Sequence, residues 1–294
     1  MPMNKEMSLS SVVAELRDGM TIGVGGWGPR RKPMALIREI LRSDLKDLTI
    51  VAFGGPEVGM LAAAGKLRKA TYGFVSMDFI PIEPYFRKAR QEGTIKVCEL
   101  DEGLLYLGLR AAGSNVPFVA TRVGLGSSVM TNNPEFKTIT SPYPDQAELL
   151  AMPAIKLDAA LLHVSRADRM GNTLTFGPDP FFDEFFARAA DRVYVTTEEL
   201  VGSIGSENPE DMKDNLFEPC LVSGVVAAPL GAHPTTSHRA YGWDAAHLKA
   251  YAASANEDGG WQTFFDRHIA GDEQSYLASV GGADHVRNLP IPTF

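Results

Sequence analysis

Two hydrophobic periods take turns along this chain. Short apolar runs at 20–25, 48–53, 158–164 and 220–227 are bounded by Gly, Pro or Asp and read as buried strands. Between them lie helix-like stretches such as ALIREILRS. Ser8 is placed to cap a helix over 10–17 that Asp18-Gly19 ends. Pro33 suits the start of a helix over 34–42. The pattern then predicts a helix over 57–69, a weak strand over Lys69–Val75, a short helix over Pro84–Arg90, a strand over Ile95–Cys98 and a helix over Leu104–Ala112. After an extended Pro117–Ala120, residues 122–146 read as one long irregular segment, a length that in compact domains usually carries function. Beyond the strand at 158–164 come a turn at Asp168–Asn172, a helix over Phe181–Ala190 and a strand over Arg192–Thr196. A polar loop (202–217), the strand 220–227, a Gly/His/Pro-rich loop (228–244) and a helical region (246–282) complete the chain. Alternating strands and helices imply an α/β fold: an open, largely parallel, doubly wound sheet with helices on both faces. No repeat or linker interrupts it, so one domain is expected over 8–282, with tails at 1–7 and 283–294.

The first strand runs into Gly25-Gly26-Trp27-Gly28-Pro29 and then Arg30, Arg31 and Lys32. Glycine amides and a basic cluster at the carboxyl end of a strand, just before a helix, suit an anionic or acyl ligand. Gly23–Gly28 fits G-x-G-x-x-G, but a dinucleotide site also needs an acid at the end of the second strand. Here that strand ends in Gly54-Gly55-Pro56, the next acid is Glu57, and Trp27 would crowd a pyrophosphate. A tight turn without a ligand is the plain alternative, which three cations and a Trp make a poor fit.

A second site follows the strand at 95–98, in Glu99-Leu100-Asp101-Glu102-Gly103. Acids at a helix start are stabilised by its dipole, so Asp101 as an N-cap explains part of the cluster. One carboxylate projecting past the strand ends as a general base explains it equally well. Arg122 precedes another glycine turn, Gly124-Leu125-Gly126-Ser127-Ser128, able to offer amides, hydroxyls and a cation to an acyl or carboxylate group, or to be only a surface loop. No G-x-S-x-G supports a serine nucleophile.

Composition narrows the classes. A 45% hydrophobic, 22% charged chain of 294 residues is globular, and a net charge of −8 opposes nucleic-acid binding. Cys98 and Cys220 show neither zinc nor redox spacing and read as buried, small apolar residues. His233 and His238 pair only loosely and lack a third ligand, so no metal is expected. No secretory leader and no membrane-length apolar run is present, which points to a soluble, cytoplasmic protein.

Six stretches together resemble the A (alpha) subunits of class I CoA-transferases, especially the glutaconate CoA-transferase type: GVGGWGPRRKP (23–33), SDLKDLTIV (43–51), GLRAAGSNVPFVATRVGLGSS (108–128), MPAIKLDAALLHVSRADRMGN (152–172), VYVTTEELV (193–201) and APLGAHPT (228–235). The resemblance implies an α/β open sheet and an active site shared with a B (beta) subunit, whose glutamate carries CoA in true transferases. Ser206-Glu207-Asn208 is superficially similar to the signature around that glutamate, but Pro209 replaces its glycine, and it reads as a surface loop. ELDEG (99–103), GPRRKP and RVGLGSSV (122–129) are more specifically similar to the alpha subunit of the steroid-degrading ring-opening CoA hydrolase. Ordinary 3-oxoacid transferases carry a glutamine in the region of Glu102. The hydrolase likeness implies an α2β2 enzyme that adds water to a cyclohexenone carboxyl-CoA, 2-(2-carboxyethyl)-3-methyl-6-oxocyclohex-1-ene-1-carboxyl-CoA, and breaks a ring carbon–carbon bond. Glu102 would be its general base. Arg122 would bind a substrate carboxylate or polarise the ketone, and the Gly25-Gly26 amides would hold an enolate oxygen. Trp27, Arg30, Arg31, Lys32, Gly126, Ser127 and Ser128 would contact substrate or CoA, and CoA, as part of the substrate, would be the only cofactor. The alternative is a true transferase alpha subunit.

Overall fold

The computed structural model describes residues 4–177, 180–206 and 209–292. Its main sheet contains β1 (Thr21–Trp27), β2 (Leu48–Gly54), β3 (Leu67–Val75) and β4 (Lys96–Glu99). A small second sheet follows, of β5 (Phe118–Thr121), β6 (Lys137–Thr140) and β7 (Glu148–Pro153). The chain then returns to the main sheet with β8 (Ala159–Asp168), β9 (Thr173–Leu174), β10 (Val193–Val201) and β11 (Val222–Ala227). Strand order is β11-β10-β8-β1-β2-β3-β4, all parallel, with only the two-residue β9 antiparallel on β8. The order winds outward in both directions from β1, so the topological switch lies between β1 and β8.

Side-chain alternation divides the interior. Ile50, Ala52 and Leu161 join the core on one face, whereas Val51, Phe53, Ala160 and Leu162 join the core on the other. The first face is covered by α1 (Leu9–Val13), α2 (Met34–Arg42), α3 (Pro56–Ala63) and α4 (Pro84–Glu92). The second carries α5 (Glu102–Gly113), the short α6 (Ser128–Asn132) and α7 (Asp183–Ala189). The C-terminal helices α8 (Ala245–Ser254) and α9 (Gly260–His268) return to the first face. They are followed by α10 (Glu273–Ser279) and α11 (Ala283–Arg287). Among the described residues no helix is long and apolar enough to cross a membrane.

Several sequence expectations change. The segment 122–146 is not wholly irregular: α6 and β6 lie within it, and β6 pairs antiparallel with the unforeseen β7. β6 is short and mostly exposed, and β7 buries only Leu150 and Met152, so neither shows the continuous buried run that marks the main sheet. The described parts of the supposed tails are also tied down. Met7 and Lys5 exchange backbone hydrogen bonds with Val225, and Val286 of α11 is fully buried beside Tyr241 and Tyr276. Cys220 is exposed rather than buried, on a single helical turn of Pro219–Leu221.

Glu83 is a costly feature of the first face. It is fully buried and caps α4 by accepting the Tyr85 and Phe86 amides at 3.3 and 2.6 Å. Any side chain at Gly59 would overlap its carboxylate. Burial, above all, pushes the Glu83 carboxyl from 4.5 up to about 7; the amides of Phe86 and Tyr85 and the Tyr251 hydroxyl oppose the shift, and Glu57 adds to it. A carboxyl whose folded value is raised holds its proton longer in the folded than in the unfolded chain. Stability therefore falls as pH rises from about 4.5 to 7. Glu83→Gln keeps an acceptor for the cap and cannot ionise. The apparent Tm of the wild type should drop from pH 5 to pH 8 by more than that of Glu83→Gln; parallel profiles would refute the assignment.

Candidate active site

The glycine turn after β1 is shaped by a break in register. Val24 pairs with Ala52, but the next pairing is Trp27 with Phe53, so Gly25 and Gly26 bulge out of the ladder. Gly26 has φ +74°, and a Cβ there would overlap the carbonyls of Arg30 and Arg31. Trp27 and Arg30 then exchange both backbone hydrogen bonds at 3.0 Å, which closes the turn.

This turn faces inward. The Gly26 amide donates to Asp183 Oδ1 at 2.9 Å, and a Cβ on Gly25 would lie 2.6 Å from the same oxygen. The Arg31 guanidinium pairs with Asp183 Oδ2 at 2.5 Å and donates to the carbonyls of His163 and Pro180, each at 2.8 Å. Burial raises the Asp183 carboxyl above its ordinary range despite Arg31. Lys32 donates to the Phe53 carbonyl at 2.7 Å and pairs with Glu57 at 3.0 Å; burial lowers its ammonium below the usual lysine range.

The expected ligand roles of Gly25, Gly26, Arg31 and Lys32 are therefore corrected. Arg31 and Lys32 are 2% and 0% exposed and neutralised by buried carboxylates, and the Gly26 amide is already bonded. The cations fill the space between strand ends instead of presenting charge outward. Arg30 alone of the three lies near the surface. It pairs with Asp78 at 2.5 Å and stands 4.7 Å from the Trp27 ring centroid.

The acidic cluster divides its labour. Glu99 pairs with Arg90. Asp101 is the N-cap of α5 and accepts the Leu104 amide at 2.8 Å. Glu102, first residue of α5, is exposed, and its Oε2 accepts the Trp27 Nε1–H at 3.3 Å across 75 residues of chain. Gly73 of β3 permits this approach, because a Cβ there would lie 3.2 Å from the Glu102 Cα. The two alternatives left open by the sequence thus fall on different residues: Asp101 caps, and Glu102 is free of structural duty.

The loop after β5 packs on the same helix start. Val123 lies beside Gly103, and Leu104 beside Gly124. Arg122 is exposed and lies 3.7 Å from an exposed Asp145, a pair too weak to lock its side chain. No hydrogen bond joins Arg122 to Glu102 among the described residues. Ser127 is spent on local structure, since its hydroxyl caps α6 and donates to the Gly124 carbonyl at 2.7 Å. Gly126 and Ser128 stay exposed beside it. Glu207 and Asn208 lie outside the described residues. His233 is buried and bonded to Tyr276 at 2.7 Å and Asp244 at 3.3 Å, while no group of three His, Cys, Asp or Glu side chains is arranged to hold a metal ion among the described residues.

An aromatic wall went unnoticed in the sequence. Trp27 meets Phe74 edge-on at 4.7 Å, Phe74 touches Phe53, Phe53 stacks on Phe182 at 4.9 Å, and Phe182 contacts Tyr106. Tyr106 lies one turn beyond Glu102 on α5, so the wall runs from the indole that bonds the Glu102 carboxylate back to the same helix. Phe181 and Phe182 both hold positive φ (54° and 62°), a strained conformation for bulky residues that tends to gather at functional sites. The i, i+4 spacing of Glu102 and Tyr106 and the Phe-Phe pair after the sequence Gly-Pro-Asp-Pro were the available sequence signals.

Glu102 and its aromatic surroundings can take a proton beside an apolar surface. The chain is 46% identical over 283 residues to the cholesterol ring-cleaving hydrolase IpdA subunit of Rhodococcus jostii (strain RHA1), covering 94% of this chain and 96% of that one. Among solved structures, glutaconate coenzyme A-transferase from Acidaminococcus fermentans matches with TM-score 0.90 and 26% identity over 98% of this chain and 96% of that one. A variant of the decarboxylase AibA/AibB matches with TM-score 0.78 and 28% identity, over 91% of this chain and 100% of that one. The coenzyme A transferase family model spans residues 6–228, from the N-terminal segment that pairs with β11 to the residue just past that strand, and the chain belongs to that family.

Proposed function

We propose that this chain is the alpha subunit of a heteromeric hydrolase that opens a carbocyclic ring on a CoA thioester. The observation that carries this reading is Glu102: one of three neighbouring acids, left without a structural task, held at the strand ends beside an aromatic wall. Its near-full-length likeness to a cholesterol ring-cleaving hydrolase subunit supports the substrate class. Glu102 acts as general base, taking a proton from water or from the substrate. Water's oxygen bonds to the ring ketone carbon. A proton taken from the ring carbon γ to the thioester and returned to the carbon beside it shifts the ring double bond off that carbon; the bond from the hydrated ketone carbon to it then breaks, and the electron pair passes into the thioester carbonyl as an enolate. Protonation of that carbon completes the net addition of one water, with the ketone carbon becoming a carboxylate. Arg122, exposed and loosely paired, is free to bind a substrate carboxylate or the ketone. CoA arrives with the substrate, and no further cofactor is required. A beta-type subunit completes the site, in an α2β2 assembly acting in the cytoplasm.

The second reading is a transferase alpha subunit whose nucleophilic glutamate lies on the partner, favoured by the likeness to glutaconate coenzyme A-transferase. The chain should be co-expressed with its beta-type partner and incubated with the cyclohexenone carboxyl-CoA, without an acceptor acid. A product heavier by one water and still bearing CoA, seen by mass spectrometry, is expected. Reaction only after an acceptor carboxylate is added, with CoA appearing on it, would overturn the hydrolase reading.

A further inference from the structure

Three partners hold the Trp27 ring. Phe74 meets its ring edge-on at 4.7 Å. The Arg30 guanidinium stands 4.7 Å from its centroid and 5.7 Å from that of Trp243, and is itself held by Asp78 at 2.5 Å. The remaining polar atom, Nε1, points its hydrogen at Glu102 Oε2. The backbone of Glu102 is equally constrained, by the Asp101 cap and by contact with Gly73. Its side chain is exposed, and among the described residues Trp27 supplies its only side-chain hydrogen bond. An exposed glutamate otherwise spreads over several rotamers, so a donor on a rigid ring decides where the carboxylate stands.

We infer that Trp27 is the positioning residue for the Glu102 carboxylate. Its Nε1–H holds one oxygen and leaves the other to accept a proton. The inference rests on Glu102 being the base, as proposed above. Other charged groups on surrounding elements include Asp101 on the same helix, the Glu99–Arg90 pair just before it, the Arg30–Asp78 pair behind the indole and the Arg122–Asp145 pair on the neighbouring loop. None of these hydrogen-bonds Glu102 among the described residues, so none replaces the indole as its anchor.

The test compares three forms of the co-expressed complex: Trp27→Phe, Trp27 replaced by 3-benzothienylalanine, and Glu102→Gln. The sulfur analogue keeps the bicyclic shape and lacks only the N–H, so it decides the matter if Trp27→Phe fails to assemble. Loss of a hydrogen bond to a charged group predicts a kcat lower by about 10-fold or more, with KM within about twofold. A purely structural role for the ring does not produce this split, because the analogue packs as the indole does. An analogue with wild-type kcat, in a background where Glu102→Gln is inert, overturns the role of Trp27 and leaves the base in place. An active Glu102→Gln overturns both.

Discussion

Glu102→Gln is expected to lower kcat of the assembled enzyme by about 10²- to 10⁴-fold, the usual contribution of a general base. Glutamine matches glutamate in size, keeps an oxygen for the Trp27 indole and can begin α5 as well, but it cannot take a proton. Because residue 102 is exposed and Asp101 caps the helix, the substitution should change stability by less than about 0.5 kcal/mol. Binding of the thioester should also survive, so the loss should appear in kcat with little change in KM. Asp101→Ala provides the contrast. It removes the cap, costs about 1 kcal/mol of stability and leaves the base in place, so its effect on kcat should be far smaller. Product formation followed by mass spectrometry separates the two. A Glu102→Gln enzyme within a few-fold of the wild type would remove Glu102 from the chemistry.

What the sequence revealed depended on how local each signal was. The main sheet was legible because parallel strands buried on both faces read as continuous apolar runs, as at 48–53 and 158–164. The glycine turn and the ELDEG cluster were legible because turn and cap chemistry is written within a few residues. The direction of the cations was not. Arg31 and Lys32 look in sequence like a ligand cluster, and only their partners Asp183, 152 residues away, and Glu57 reveal them as interior groups. The division of roles among Glu99, Asp101 and Glu102 was hidden for the same reason: Trp27 contributes its N–H from a strand 75 residues earlier. The second sheet escaped because its strands are only four to six residues long and bury only Leu150 and Met152.

Asp183→Ala is the substitution expected to harm stability most, by about 3–5 kcal/mol, because it leaves a buried guanidinium without its counter-ion. The Gly26 amide loses its acceptor in the same step. The penalty should come from the orphaned charge more than from the lost attraction. Arg31→Met/Asp183→Leu, which removes both charges, should therefore recover much of the loss, a coupling that a double-mutant cycle measures. Asp78→Ala breaks the more exposed pair with Arg30 and should cost no more than about 1 kcal/mol. Denaturant unfolding of the assembled complex provides all of these values. A loss below about 1 kcal/mol for Asp183→Ala would mean that water reaches Arg31 readily. The crevice between β1 and β8 would then be open, and an anionic ligand at Arg31 would return as the better reading. A large loss has the opposite consequence. The place where an open α/β sheet ordinarily binds its ligand is then plugged by Arg31 and Asp183. The accessible chemistry is displaced across β2 and β3 to the start of α5, where Glu102 stands.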